Sequence, residues 1–127
     1  MAKKTDNKVK KFDYKSIKTY EDACNAKVVD KDNVIFETDS FDIICYKKLK
    51  HIISVINEGW VPDWNNFNQR KWWPWFRLSS GFGFGSSYYN FSGTITYVGS
   101  HLCFQSEEKS DYTATQFLDL YKGFLTI

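Results

Sequence analysis

The sequence predicts an α+β fold in which a small antiparallel sheet, spanning about residues 71–105, packs against helices over about 41–58 and 106–124. Three observations predict it. Phe41, Cys45, Leu49, Ile52 and Ile56 recur at helical spacing. From Lys71 to Gln105 short β-prone runs separated by Gly have the texture of a meander. Ala114, Phe117, Leu118, Tyr121 and Leu125 then form a second helical stripe, and helices gathered on one face of a sheet satisfy that order.

Each element has its local cause. Thr19 is a candidate N-cap, with Asp22 at the third helical position, for a short helix over about 20–27. Val28 to Phe36 mixes β-branched residues with Asp and Asn and reads as an irregular connector. Ser40 caps the long helix, Asp42 complements its positive end, Ile44 and Ile53 widen its apolar stripe, and Gly59 ends it at the C′ position. Pro62 and Pro74 exclude a continuous helix through the Trp-rich segment, leaving a loop to Asn68 and an extended run over about 71–78. Strands are expected near 82–86, 88–91, 94–98 and 101–105. Ser106 caps the last helix, with Glu107 and Glu108 in its first turn.

The chain has 127 residues, enough for one domain that closes a core without metals or disulfides. Its net charge of +2 is uneven. Residues 1–18 carry seven Lys against Asp6 and Asp13, a local +5 that leaves the rest at −3. The expected organisation is a basic, flexible arm over 1–18 and a single α+β domain over 19–127. A domain of that sign is not built to hold nucleic-acid phosphates by charge. Cys24, Cys45 and Cys103 lack the spacing of a disulfide framework and read as buried thiols of a reduced compartment. The Lys-rich start is not followed by an apolar run long enough for a signal peptide or membrane span, so no membrane partner is expected.

Chemical motifs are sparse. The run Gly81 to Gly85 fails G-x-G-x-x-G because position 86 is Ser, and its alternate glycines suit a strand lying close to another backbone. His51 and His101 have no Cys or carboxylate at a metal-ligand spacing, so neither metal nor cofactor is expected. His101 and Cys103 alternate along an expected strand, where side chains two apart converge poorly for proton transfer. No catalytic constellation emerges, and the chain is expected not to be an enzyme.

Recognition is the stronger signal. No Asp, Glu, Lys or Arg occurs between Arg77 and Glu107, and Gly81 to Val98 is nearly all Gly, Ser, Thr, Asn, Tyr and Phe. That is the alphabet of antibody-type contact surfaces. The candidate ligand-binding residues are Phe82, Phe84, Ser86, Ser87, Tyr88, Tyr89, Asn90, Phe91, Thr94 and Thr96. The cluster Trp72, Trp73, Trp75 with Arg77 is a second candidate, a stacking patch for bases or sugars to which Arg70 and Lys71 add cations. As structure, Trp73 and Trp75 would instead fill the core against the long helix while Trp72 and Phe76 cover its edge.

The segments TYEDACNA (19–26), YKKLKHIISVINEGWVPDW (46–64), WWPWF (72–76), VGSHLCFQSEE (98–108) and QFLDLYKGF (116–124) together resemble small uncharacterised proteins of bacteriophages and mobile elements of gut bacteria. That resemblance covers nearly the whole chain and implies a host-cytoplasmic or virion location, with no activity attached. The tract is also similar to the variable regions of diversity-generating retroelement proteins. There, rewriting of adenines in AAC or AAT codons cannot reach Lys, Glu, Gln, Met or Trp, and none of these occurs from Leu78 to Phe104. The segment GSHLCF (99–104) resembles the fixed sequence that closes such regions. This second resemblance implies a C-type-lectin-like fold, from which the helix expected over 106–124 departs. Taken together, the residues favour a non-enzymatic binding protein presenting 82–96 to a protein or small ligand. A virion-associated oligomer and a single-stranded nucleic-acid or nucleotide binder are the alternatives.

Overall fold

Side-chain caps close two of the four α-helix starts among the described residues. The computed structural model describes residues 11–79, 81–93 and 99–127. Helix α1, Tyr20–Ala26, opens on a capping box in which the Asp22 N–H donates to Thr19 Oγ1 and the Thr19 N–H donates back to Asp22 Oδ2. Ser40 and Ser106 stand at the N-caps of α2, Phe41–Ile56, and α3, Glu107–Gln116, but only Ser106 accepts a backbone N–H, that of Lys109; the Ser40 hydroxyl donates to Asp42 Oδ1 instead of making the cap bond expected of it. A final helix, α4, spans Leu118–Leu125. With the antiparallel strands β1, Lys71–Arg77, and β2, Gly83–Asn90, these helices make a small α+β fold.

The core is centred on α2. Leu49, Ile52, Ile53, Val55 and Ile56 form one cluster with Ala23, Leu102, Phe104, Phe117 and Tyr121. Helix α1 lies on α2, where the buried His51 donates from Nε2 to Ala23 O at 3.1 Å. Helix α4 also packs on α2, so closely that a Cβ at Gly123 would come within 2.5 Å of Cys45 Sγ. Helix α3 packs on β1 and β2 instead.

Several expectations are corrected. The single helix over 106–124 is two helices broken at Phe117 (φ −113°, ψ 33°). Thr113 and Thr115 hydroxyls donate back to Lys109 O and Asp111 O, a pattern that bends helices, just before α3 and α4 part toward different partners. Strands expected at 82–86 and 88–91 are one strand, and Ser100–Leu102 is a 3-10 turn rather than part of a strand. Residues 94–98 lie outside the described residues. Phe41, placed on the apolar stripe, is exposed because the stripe is buried only from Cys45 onward. The arm expected over 1–18 is docked at its C-terminal end. Ile17 is 3% exposed, Tyr14 packs edge-on against Tyr112, and the Tyr112 hydroxyl donates to Ile17 O at 2.9 Å. Residues 1–10 lie outside the described residues.

The end of α2 also differs in detail, and it positions the sheet. Asn57 is the C-cap, and a non-glycine residue, Glu58, occupies C′ with φ 55°, followed by Gly59 at φ 81°. Glu58 N–H reaches Val55 O and Gly59 N–H reaches Ser54 O, the paired bonds of a Schellman motif. Lys109 Nζ lies 3.0 Å from Glu58 Oε2 and from Gln105 Oε1, which steadies the strained residue. The buried Asn57 side chain donates to Cys103 O and accepts from Gln105 N–H. Between those two bonds, Phe104 exchanges both backbone hydrogen bonds with Trp72, fixing β1 to the core. Asn57→Ala removes partners from two backbone groups at once. Urea unfolding is expected to show a loss of about 2–4 kcal/mol, more than an ordinary surface substitution costs.

Candidate functional site

The pairing of β1 with β2 decides which aromatic rings face outward. Opposite residues share a face, so Trp72, Pro74 and Phe76 stand with Tyr89, Ser87 and Phe84, and Lys71, Trp73, Trp75 and Arg77 stand with Asn90, Tyr88, Ser86 and Gly83. A bulge between Trp75 and Phe76 leaves Gly85 as the extra residue, and a Cβ there would lie 3.2 Å from Trp75 O. The close backbone approach expected of the alternate glycines is met at that position.

The first set faces the helices. Phe76 packs on Tyr121 with ring centroids 4.7 Å apart and stacks on Phe82 at 4.9 Å. Ser87 is buried, with its Oγ 2.7 Å from Ser110 Oγ and 2.6 Å from Asp111 Oδ1. One hydroxyl proton serves one acceptor, so Ser110 donates to Ser87 and Ser87 donates to the carboxylate. This chain of bonds pins β2 to α3, and it removes Ser87 from the contact surface. Tyr89, at the end of this face, remains 45% exposed, packed on Trp72 and covered by the Arg70 guanidinium at 4.6 Å.

The second set faces away. Here the expected core pair separates: Trp73 is buried under Trp64, donating from Nε1 to Gly99 O at 3.0 Å, whereas Trp75 is 50% exposed. Trp73 is thus buried, as the structural alternative drawn from the sequence had it, but beneath Trp64 rather than against the long helix, and the rings of β1 that pack on the helical core are Trp72 and Phe76. Tyr88 is 58% exposed and meets Trp75 edge to face at 6.3 Å. Ser86 is exposed beside them, and so is Leu78.

The remaining candidates divide in the same way. Phe82, Phe84 and Phe91 are half-buried, and the exposed Asn90 uses its Oδ1 to accept the Ser92 and Gly93 N–H groups, a turn-forming task. Thr94 and Thr96 lie outside the described residues. Lys71 does not face solvent: its Nζ donates to Asn66 O and Phe91 O and lies over the Trp64 ring at 5.1 Å. Arg70 and Arg77 are the members of that cation set that stay exposed.

Sequence reasoning missed a cavity of about 1010 Å³ between the second half of β1, α2 and α4. Its walls include Pro74, Trp75, Phe76, Leu102, Phe124 and Leu125, with Arg77 on the rim and Tyr121 on the inner side. Tyr121 appeared in the sequence only as a member of an amphipathic stripe, and nothing in that pattern signals an opening beside it.

Nucleophilic chemistry finds no support in the two buried thiols, whereas Cys24, expected to be buried like them, is partly exposed. Cys103 Sγ donates to Ser100 O, and burial pushes its pKa from 9.0 up to about 12, while burial also raises that of Cys45. His101 is exposed on the preceding turn rather than beside Cys103 on a strand face. Among the described residues, no group of three or more His, Cys, Asp or Glu is placed to hold a metal ion, and no helix is long and apolar enough to cross a membrane.

Two outcomes follow from this geometry. Native protein at mildly alkaline pH is expected to take up iodoacetamide at Cys24 alone, with Cys45 and Cys103 labelled only after unfolding, as counted by mass spectrometry. Trp73→Ala is expected to cost about 3–5 kcal/mol in chemical denaturation, against under about 1 kcal/mol for Trp75→Ala. Comparison of the chain with protein-family models, curated proteins and solved structures finds no match.

Proposed function

We propose that this chain is a non-enzymatic binding protein, of the phage-borne kind its sequence resembles, whose contact surface is centred on Trp75 and Tyr88. One observation carries the reading: two large rings stand exposed side by side on paired strands, where the backbone is already fixed. Rings held this way lose little freedom on binding, and Trp and Tyr dominate contact energies at interfaces. Ser86 beside them supplies an adaptable hydroxyl, and Leu78 extends the apolar area. The partner is a protein or ligand with an apolar patch able to cover an indole and a phenol. Relative to the contiguous tract 82–96, this surface gains Trp75 and gives up Ser87.

Retrieval from a host-cell extract tests the proposal. Immobilised wild-type chain is expected to retain a partner that the Trp75→Ala, Tyr88→Ala double variant loses at least about tenfold while melting at nearly the same temperature. Val28→Ser, on an exposed residue away from these strands, should retain it fully. Equal retention by wild type and double variant defeats the proposal. If the retained partner is a second copy of the chain, size-exclusion chromatography will show a wild-type dimer and a monomeric variant.

A further inference from the structure

A second cleft, of about 480 Å³, opens where the loop after α2, the entry to β1 and the start of α3 meet, a size within the range of small-molecule sites. The half-buried side chains of Trp60 and Trp72 line it. Both residues are held by the corner at the end of α2: the Trp60 N–H donates to Asn57 O at 2.9 Å, and the Trp72 backbone exchanges two bonds with Phe104. Gln69 and Gln105 line the cleft too, and each has its amide oxygen committed within the protein. Gln69 Oε1 accepts the Asp63 N–H at 2.7 Å, and Gln105 Oε1 accepts from Lys109 Nζ at 3.0 Å. These bonds orient the two carboxamides and leave both NH2 groups as donors without a partner among the described residues. Arg70 adds further donors, while Glu107 and Glu108 add carboxylate acceptors; none of the three forms an ion pair among the described residues.

This mixture of groups selects among ligand chemistries. A hydrocarbon would strand the donors and the carboxylates, a phosphate would face two carboxylates, and an ammonium group would face Arg70 and both amide NH2 groups. A sugar hydroxyl donates and accepts at once. A pyranose with equatorial hydroxyls also presents flat faces of C–H groups, which suit the electron-rich face of an indole. We propose that this cleft binds a neutral oligosaccharide built of such pyranoses. Trp60 and Trp72 cover its apolar faces, Arg70 and the two glutamine amides donate to its oxygens, and Glu107 and Glu108 accept its hydroxyl protons. The inference goes beyond the outward-facing aromatic surface, because neither Trp75 nor Tyr88 lines the cleft.

Cellotriose and N-acetylchitotriose are the probes, titrated into nitrogen-15-labelled protein while the indole N–H resonances of Trp60 and Trp72 are followed. At least one is expected to shift both resonances with a Kd on the order of 1 mM, since each hydroxyl exchanges water for protein partners at small net gain. Trp60→Ala should weaken that binding at least about threefold. Gln105→Glu keeps the oxygen that Lys109 uses but replaces the free donor by an acceptor, so it should weaken binding about three- to tenfold with the melting temperature unchanged or higher. Adenosine monophosphate and choline should leave both resonances in place. The Trp75→Ala, Tyr88→Ala double variant should bind the saccharide as the wild type does while losing the retained partner, which separates the two sites. The proposal is overturned if neither saccharide shifts the resonances or if Gln105→Glu binds as tightly as the wild type. It is equally overturned if adenosine monophosphate or choline displaces the saccharide, or if the double variant no longer binds it.

Discussion

The Asn57 carboxamide holds the sheet to the helical core. It is buried, and it donates to Cys103 O while accepting from Gln105 N–H. Those two bonds fix the residue between them, Phe104, whose backbone then pairs with Trp72. Trp72 belongs to β1, and β1 in turn sets the register of β2. A side-chain amide at the end of one helix thus decides which rings of the hairpin face the core. The neighbouring Glu58 accepts a left-handed backbone to complete this corner, and the buried Lys109 from α3 closes it by pairing with Glu58 and Gln105. A satisfied polar network of this kind specifies one arrangement where apolar packing alone would tolerate several.

Three helix starts were legible in the sequence because a cap-type residue stands at each, and the interior of α2 was legible because its apolar residues recur at helical spacing. Thr19 with Asp22, Ser40 and Ser106 all stand at helix starts, and Cys45, Leu49, Ile52 and Ile56 are all buried. The faces of β1 were not legible. Strand orientation is read from alternation of apolar with polar residues, and Trp72 to Phe76 is apolar at every position, so both orientations fit. What decides is long-range: the Trp72 bridge to Phe104, and Ser87 bonded to Ser110 and Asp111. The helix break at Phe117 was hidden for a similar reason. An unbroken stripe from Ala114 to Leu125 says that each residue finds apolar company, not that all find it on one neighbour; α3 turns to the sheet and α4 to α2. Composition flagged the tract as unusual, but not that its alternate residues serve opposite faces.

Trp75 is the ring that neither face of the hairpin absorbs. Ring burial on the helix-facing side is met by Trp72, Phe76, Phe82 and Phe84, and behind the outward face Trp64 covers Trp73. Trp75 completes neither group, being half exposed on the outer face while also forming a wall of the cavity that Tyr121 lines. Leaving an indole partly in water gives up much of the stabilisation its burial would contribute, at roughly 25 cal/mol per Å². That concession keeps open the surface a partner would cover under the proposed function, and pairing of β1 with β2 holds the indole in place for it, so the outer face offers a large ring whose position costs little to fix on binding.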